Sequence, residues 1–176
     1  MKTVITLREL DRADLPVLNA WRADRNLVDM LGSPFRYVNA EVDGKWFDAY
    51  LANRHRNVRL AICDSTAQQA IGVVYLLDID WVSRNAEFAI QIGDTSARGL
   101  GIGTEATRLA LDHAFDDLNL HRVHLTVLAS NTHAIALYKK AGFQAEGLQR
   151  QAVFKSGRHV DVVPMAILAH ERPTRR

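Results

Sequence analysis

Residues 86–128 change their hydrophobic period twice, and this constrains the fold more than any other feature. "AEFAIQIGD" (86–94) alternates, with Ala86, Phe88, Ile90 and Ile92 on one side and Glu87, Ala89 and Gln91 on the other. A glycine-rich stretch, "SARGLGIGTEA" (96–106), follows it. In 104–120 the apolar residues shift to helical spacing, with Ala106, Leu109, Ala110, Ala114 and Leu118 as one stripe. Alternation then returns in 122–130, where Val123, Leu125 and Val127 share a side. Strand, helix and strand in succession argue for a crossover connection between parallel strands, and hence for a sheet with a helix packed on its face.

The flanking segments complete the sheet. "TVITLREL" (3–10) reads as a strand. Helical spacing follows in 11–24, with Asp14 as N-cap before Leu15-Pro16, and in a shorter helix ending near Gly32. A further helix spans 40–54. "VRLAICD" and "AIGVVYLLDID" are strands joined by the polar loop "STAQQ" (65–69). Residues 131–142 form a helix that Asn131 caps and Gly142 ends, and two strands around "KSGRH" (155–159) close the chain. The order predicts a single α/β domain over 1–176, a mixed sheet with antiparallel hairpins and at least one parallel crossover.

Composition narrows the function. The net charge is +2 and basic residues are scattered among acids, which gives no reason to expect a nucleic-acid partner. "ERPTRR" (171–176) reads as a solvated tail. No window approaches the length of apolar chain that spans a membrane, and no signal peptide opens the sequence, so a cytoplasmic protein without a membrane partner is expected. Cys63 is the single cysteine and sits in an apolar run, which suits a core residue.

The glycine-rich stretch resembles a phosphate-binding loop, and three such loops compete. A Walker A loop needs lysine after its last glycine, whereas Gly103 is followed by Thr104 and Glu105. The dinucleotide pattern G-x-G-x-x-G meets Thr104 at its last glycine. The pattern R-x-x-G-x-G before a helix is satisfied by Arg98, Gly101 and Gly103. There, glycines let the main chain approach a ligand, N–H groups at the helix head favour an anion, and Arg98 adds a charge-assisted contact. An ordinary glycine-rich connection between strand and helix satisfies the same residues.

Downstream, "NTHAIALYKKAGF" (131–143) supplies N-x-x-A-x-x-x-Y-x-x-x-G-F. The two motifs, in this order and separation, resemble the GNAT superfamily of acyl-CoA-dependent N-acyltransferases. The resemblance runs over most of the chain and is strongest from Glu87 to Phe143. The segments "LNAWRADRNLVDML" and "EGLQRQAVFKSGRHVDVVPMAIL" resemble the branch that contains ribosomal-protein N-terminal acetyltransferases, and the first of them also resembles the opening of some nucleotide-sugar N-acetyltransferases.

The resemblance implies a mostly antiparallel sheet with a splayed central parallel pair, flanked by helices. It also implies acetyl transfer from acetyl-CoA to a primary amine in a ternary complex. The main chain from Arg98 through Gly99, Leu100, Gly101, Ile102 and Gly103 to Thr104 would bind the pyrophosphate. Ile90 and Ile92 would border the pantetheine arm, and a β-bulge near Gln91–Ile92 would aim an N–H at the thioester oxygen. Tyr138 would be the general acid and Glu87 the general base, with His121, His124 and His133 as rival bases. Asn131 would bond the pantetheine or simply cap its helix, and Lys139 and Lys140 would meet the ribose phosphate or simply face solvent. A homodimer is implied by resemblance alone.

The acceptor stays open between a protein N-terminus, an amino-sugar nucleotide and a polyamine. A non-catalytic acyl-CoA-binding module is the alternative from another class. Residues 11–50 hold seven acids and five bases, a mixture that announces no acidic polyamine pocket. Arg22, Arg25 and Arg36 are available for a diphosphate, and Trp21, Phe35, Tyr37, Trp46 and Tyr50 serve a cleft or a core equally well.

Overall fold

The structure is a computed structural model, and it describes residues 4–64 and 68–173. Three residues of the expected 65–69 loop and the last three of the expected tail therefore lie outside the described residues. Among the described residues, eight strands form one sheet: β1 (Ile5–Glu9), β2 (Val58–Asp64), β3 (Ala70–Asp80), β4 (Asn85–Ile92), β5 (Arg122–Leu128), β6 (Gln144–Ala145), β7 (Gln149–Lys155) and β8 (Arg158–Leu168). They lie in the order β1-β2-β3-β4-β5-β8-β6, with β7 on β8. Every pairing is antiparallel except β4–β5.

The helices are α1 (Leu15–Ala23), α2 (Arg25–Asp29), α3 (Ala40–Ala52), α4 (Ile102–Asp112) and α5 (Thr132–Ala141). Alternation along the strands gives the sheet two apolar faces. One carries Ile62, Val74, Leu76, Phe88, Val123, Leu125 and Met165, and packs with Ala106 and Ala110 of α4 and Tyr138 of α5. The other carries Ala61, Cys63 and Val73 under Leu18 and Trp21 of α1 and Phe47 and Tyr50 of α3. Cys63 is buried there, as its apolar surroundings in the sequence predict.

Several local expectations are corrected. Helix α4 begins at Ile102, two residues before the expected start, because Gly101 adopts φ 79° and caps it. Its last turn is π-type: Leu118 N–H bonds the His113 carbonyl at 3.0 Å. Asp14 does not cap α1 with its side chain, since its carboxylate takes two hydrogen bonds from Arg8 and one from Asp11 N–H. The closing segment holds three strands, because Gln144–Ala145 also pairs with β8. No bulge interrupts β4 at Gln91–Ile92: its register with β3 is continuous from Glu87 to Ile92. A Cβ at Gly72 would lie 2.6 Å from the Gln91 carbonyl, so bare glycine lets the strands close up at this point. The irregularity falls instead between Leu77 and Asp80, where Asp78 has φ 49°.

Candidate active site

The parallel pair that anchors the fold also opens it. β4 and β5 are paired only where Asn85, Ala86 and Glu87 meet Arg122, Val123 and His124. From Phe88 and Leu125 onward the strands diverge, and the main-chain groups of β4 that face β5 have no ladder partner. Such an edge is suited to pairing with the amides of an extended ligand. Ile90 and Ile92 are half-buried against the core face and line this stretch of β4.

The glycine-rich loop lies where β4 ends. Gly99 and Gly101 have φ 76° and 79°, and a Cβ built at either meets nothing within 4 Å. The loop is open rather than packed, and its backbone sits in the left-handed region that glycine enters without penalty. Glu105 N–H makes the bond back to the Gly101 carbonyl at 3.1 Å. The N–H groups of Ile102, Gly103 and Thr104 precede it, in the turn of a helix that leaves its donors free. Ile102 is buried and anchors the loop to the core, whereas Leu100 is exposed. Thr104 is half-buried.

Two loop residues do something other than contact an anion. Arg98 turns back, donating from Nε to the Ile92 carbonyl at 3.2 Å and from Nη2 to the Gly93 carbonyl at 3.4 Å. It thereby ties the loop to the end of β4 and keeps its remaining N–H groups as donors. Gly103 serves packing, since its Cβ would stand 2.9 Å from a methyl of Leu137 on α5. Lys140, three residues beyond Leu137, shares that side of α5 and is exposed, as is Lys139.

Tyr138 is buried, and its ring meets Phe88 edge-on at 6.2 Å between centroids and Phe143 at 5.7 Å. Its hydroxyl makes no hydrogen bond to a described residue. Burial alone pushes the phenol up to about 12, so it keeps its proton at any physiological pH. Asn131 caps α5 by accepting from Ala134 N–H at 3.1 Å, and its amide donates to the Met30 carbonyl at 3.2 Å. Its side chain is thus engaged within the protein and positions α5 against the segment after α2.

Glu87 is half-buried on the opposite face of the sheet from Tyr138, beside Leu77 on β3 and His124 on β5. It stands at the last paired position before the strands part. His124 joins it there, while His121 and His133 are exposed elsewhere. Three further residues shape this face and were not singled out by sequence reasoning. Gly93 lies under the Trp21 indole, so closely that a Cβ would fall 2.0 Å from two ring carbons, and α1 is thereby seated on the end of β4. The Lys155 ammonium donates to the carbonyls of Val28 (2.9 Å) and Ser33 (2.7 Å), holding the segment after α2. Burial lowers that ammonium below its ordinary range. Arg59 stacks on Trp46, Tyr50 and Tyr75.

Comparison with known proteins agrees with this geometry. A family model described as an acetyltransferase (GNAT) domain matches residues 5–144. A spermidine N(1)-acetyltransferase of Vibrio cholerae is 32% identical over 170 residues, covering 96% of this chain and 95% of that protein. The enzyme of the same name from Escherichia coli K12 is 31% identical over 173 residues, covering 95% and 87%. The crystal structure of the V. cholerae enzyme in complex with CoA and spermine superposes with a TM-score of 0.88 at 30% identity, over 95% of this chain and 96% of that one. No helix among the described residues is long and apolar enough to cross a membrane.

Proposed function

Because the chain belongs to the GNAT acetyltransferases and uses acetyl-CoA to acetylate an amine, we propose that the opening between β4 and β5 is where transfer occurs, with Tyr138 as the acid and Glu87 as the base. The acceptor in this reading is a small-molecule primary amine, the class to which the spermidine of the two similar acetyltransferases belongs. The observation that carries the proposal is the divergence of β4 and β5 immediately after Glu87, with Tyr138 on one face of the sheet and Glu87 on the other.

The residues present fit the cosubstrate. N–H groups of the loop from Gly99 to Thr104 hold the pyrophosphate, helped by the dipole of α4. Unpaired main-chain groups of β4 orient the pantetheine amides and lay the thioester across the sheet. A main-chain N–H of the same edge stabilises the oxyanion. Glu87 accepts a proton from the ammonium of the acceptor, directly or through water, because an alkyl ammonium near pKa 10 is almost fully protonated at neutral pH. The amine nitrogen then bonds to the carbonyl carbon and gives up its second proton to solvent, the carbon–sulfur bond breaks, and sulfur keeps the electron pair and is released as thiolate or, after protonation from solvent, as thiol. Tyr138 donates its phenolic hydrogen bond to that sulfur. Asn131 and Arg98 position α5 and the loop.

The test is Tyr138→Phe, which keeps the ring and removes the donor. Turnover is expected to fall by about 100-fold or more while acetyl-CoA affinity, read by calorimetry, stays within about 3-fold of the parent. Unchanged turnover would remove Tyr138 from the chemistry. Acetyl-CoA binding with no turnover of any amine by the parent chain would favour a non-catalytic binding module.

A further inference from the structure

Two guanidinium groups converge on one aromatic side chain beside the proposed transfer site. Arg22 of α1 lies 4.3 Å from the centre of the Trp46 ring and Arg59 of β2 lies 4.7 Å from it. Arg59 also stacks on Tyr75 at 4.6 Å. Arg59, Tyr75 and Ala89 are register neighbours across β2, β3 and β4 on the face that carries Glu87. Ala89 lies two residues along β4 from Glu87, which sets Tyr75 and Arg59 one and two strands away from it. A groove of about 250 Å³, with Trp46, Tyr50, Arg56, Arg59 and Asp78 in its wall, opens at Arg59.

The charges in this groove do not balance. Asp43 is paired with Arg22 and also accepts from Asn19 at 2.6 Å. Arg59 has no carboxylate within ion-pair distance among the described residues, and its buried Nε has no hydrogen-bond acceptor. Asp78, at the groove's edge, lies 3.9 Å from Arg56. Burial lowers both Arg22 and Arg59 below the ordinary arginine range, and the neighbouring charge of Arg59 lowers Arg22 further. A guanidinium held flat on aromatic rings keeps its edge donors directed outward, in the fork that matches a carboxylate or phosphate.

We propose that the groove is an anion subsite for the acceptor, and that the amine acetylated by this protein carries a carboxylate or phosphate group bound by Arg59. The inference rests on the acetyl-transfer reading above and names the acceptor class within it. A polyamine offers only cations to a groove that already holds one positive charge too many, so the acceptor class differs from that in the names of the relatives.

The test measures CoA thiol release by the full chain. The acceptors are α- and ω-amino acids, their amides and methyl esters, aminoalkyl phosphates, and spermidine. At least one acid is expected to exceed its own amide by about 30-fold or more in kcat/KM, the scale of losing one partner of a charged hydrogen bond. The carboxylate and phosphate arms then show which oxyanion is used. Arg59→Met is expected to erase the preference, bringing kcat/KM for the acid down to that of its amide, while acetyl-CoA affinity read by calorimetry stays within about 3-fold of the parent. Arg59→Lys is the second variant and is expected to restore only part of the preference. Amides as good as acids, spermidine preferred by the parent chain, or a preference that survives Arg59→Met would overturn the proposal. In those outcomes acetyl transfer stands. Turnover of no amine despite acetyl-CoA binding would instead overturn the reading beneath the proposal, and the proposal with it.

Discussion

Replacing Gly93 by alanine tests how α1 is seated on the sheet. The added Cβ would fall 2.0 Å from Cδ2 and Cε2 of Trp21 and 2.6 Å from Cε3. No rotamer of alanine avoids this, and the indole is buried between α1 and the end of β4, so either the ring or the strand end must move. Overpacking of this kind costs about 1–3 kcal/mol, and contact with three ring atoms puts Gly93→Ala near 3 kcal/mol. For a chain of this length that is a fall of roughly 6–12 °C in Tm. The assay is urea and thermal unfolding of the single variant, of Trp21→Leu, and of the pair. Trp21→Leu is destabilising by itself, because it leaves a cavity. It also vacates the space that the new methyl needs, so Gly93→Ala added to it is expected to cost less than about 1 kcal/mol. A single variant within about 0.5 kcal/mol of the parent, or costs that simply add, would refute the contact as the reason for glycine at this position.

Two further predictions follow from individual protonation states and anchors. With the Tyr138 phenol at about 12, turnover is expected to rise with pH as the acceptor loses its proton and to show no downturn up to about pH 10.5. The same phenol sits near 10 in the unfolded chain, so its contribution to stability is complete below about pH 10 and is lost as pH rises toward 12. A downturn near pH 10 that Tyr138→Phe removes would contradict this assignment. Lys155→Met keeps the apolar stem but leaves the carbonyls of Val28 and Ser33 without their donor, which is expected to cost about 1–3 kcal/mol. Hydrogen exchange at residues 28–36 is expected to accelerate ahead of the rest of the chain, and uniform exchange would count against the anchoring role.

The sequence made legible whatever depends on local periodicity. The run from Ala86 to Leu128 alternates, turns helical and alternates again, and the crossover with its parallel strand pair follows from that pattern alone. Asn131 and Gly142 mark the ends of α5 in the same way, and Gly142 adopts φ 102°. The start of α4 is hidden in the sequence because Gly101 caps it through its backbone conformation, with no side-chain signal to read. The roles of the three loop glycines also separate only in three dimensions. Gly99 and Gly101 are open left-handed positions, while Gly103 makes room for Leu137 from a different helix. Contacts between elements are illegible for the same reason: Gly93 with Trp21, Lys155 with Val28 and Ser33, and Arg59 with Trp46 join residues 72, 127, 122 and 13 positions apart, which no local period links. Arg59 in particular reads as an ordinary polar residue in an alternating strand, and its unpaired charge becomes evident only once the surrounding carboxylates are placed.

The most direct measurement of the central claim is a crystal structure of this chain with CoA bound. The expected result places the diphosphate on the N–H groups of residues 99–104, at hydrogen-bond distances of about 3 Å, and the sulfur between β4 and β5 within about 3.5 Å of the Tyr138 hydroxyl. A diphosphate away from that loop, or a sulfur on the side of the sheet that the phenol does not reach, would contradict it.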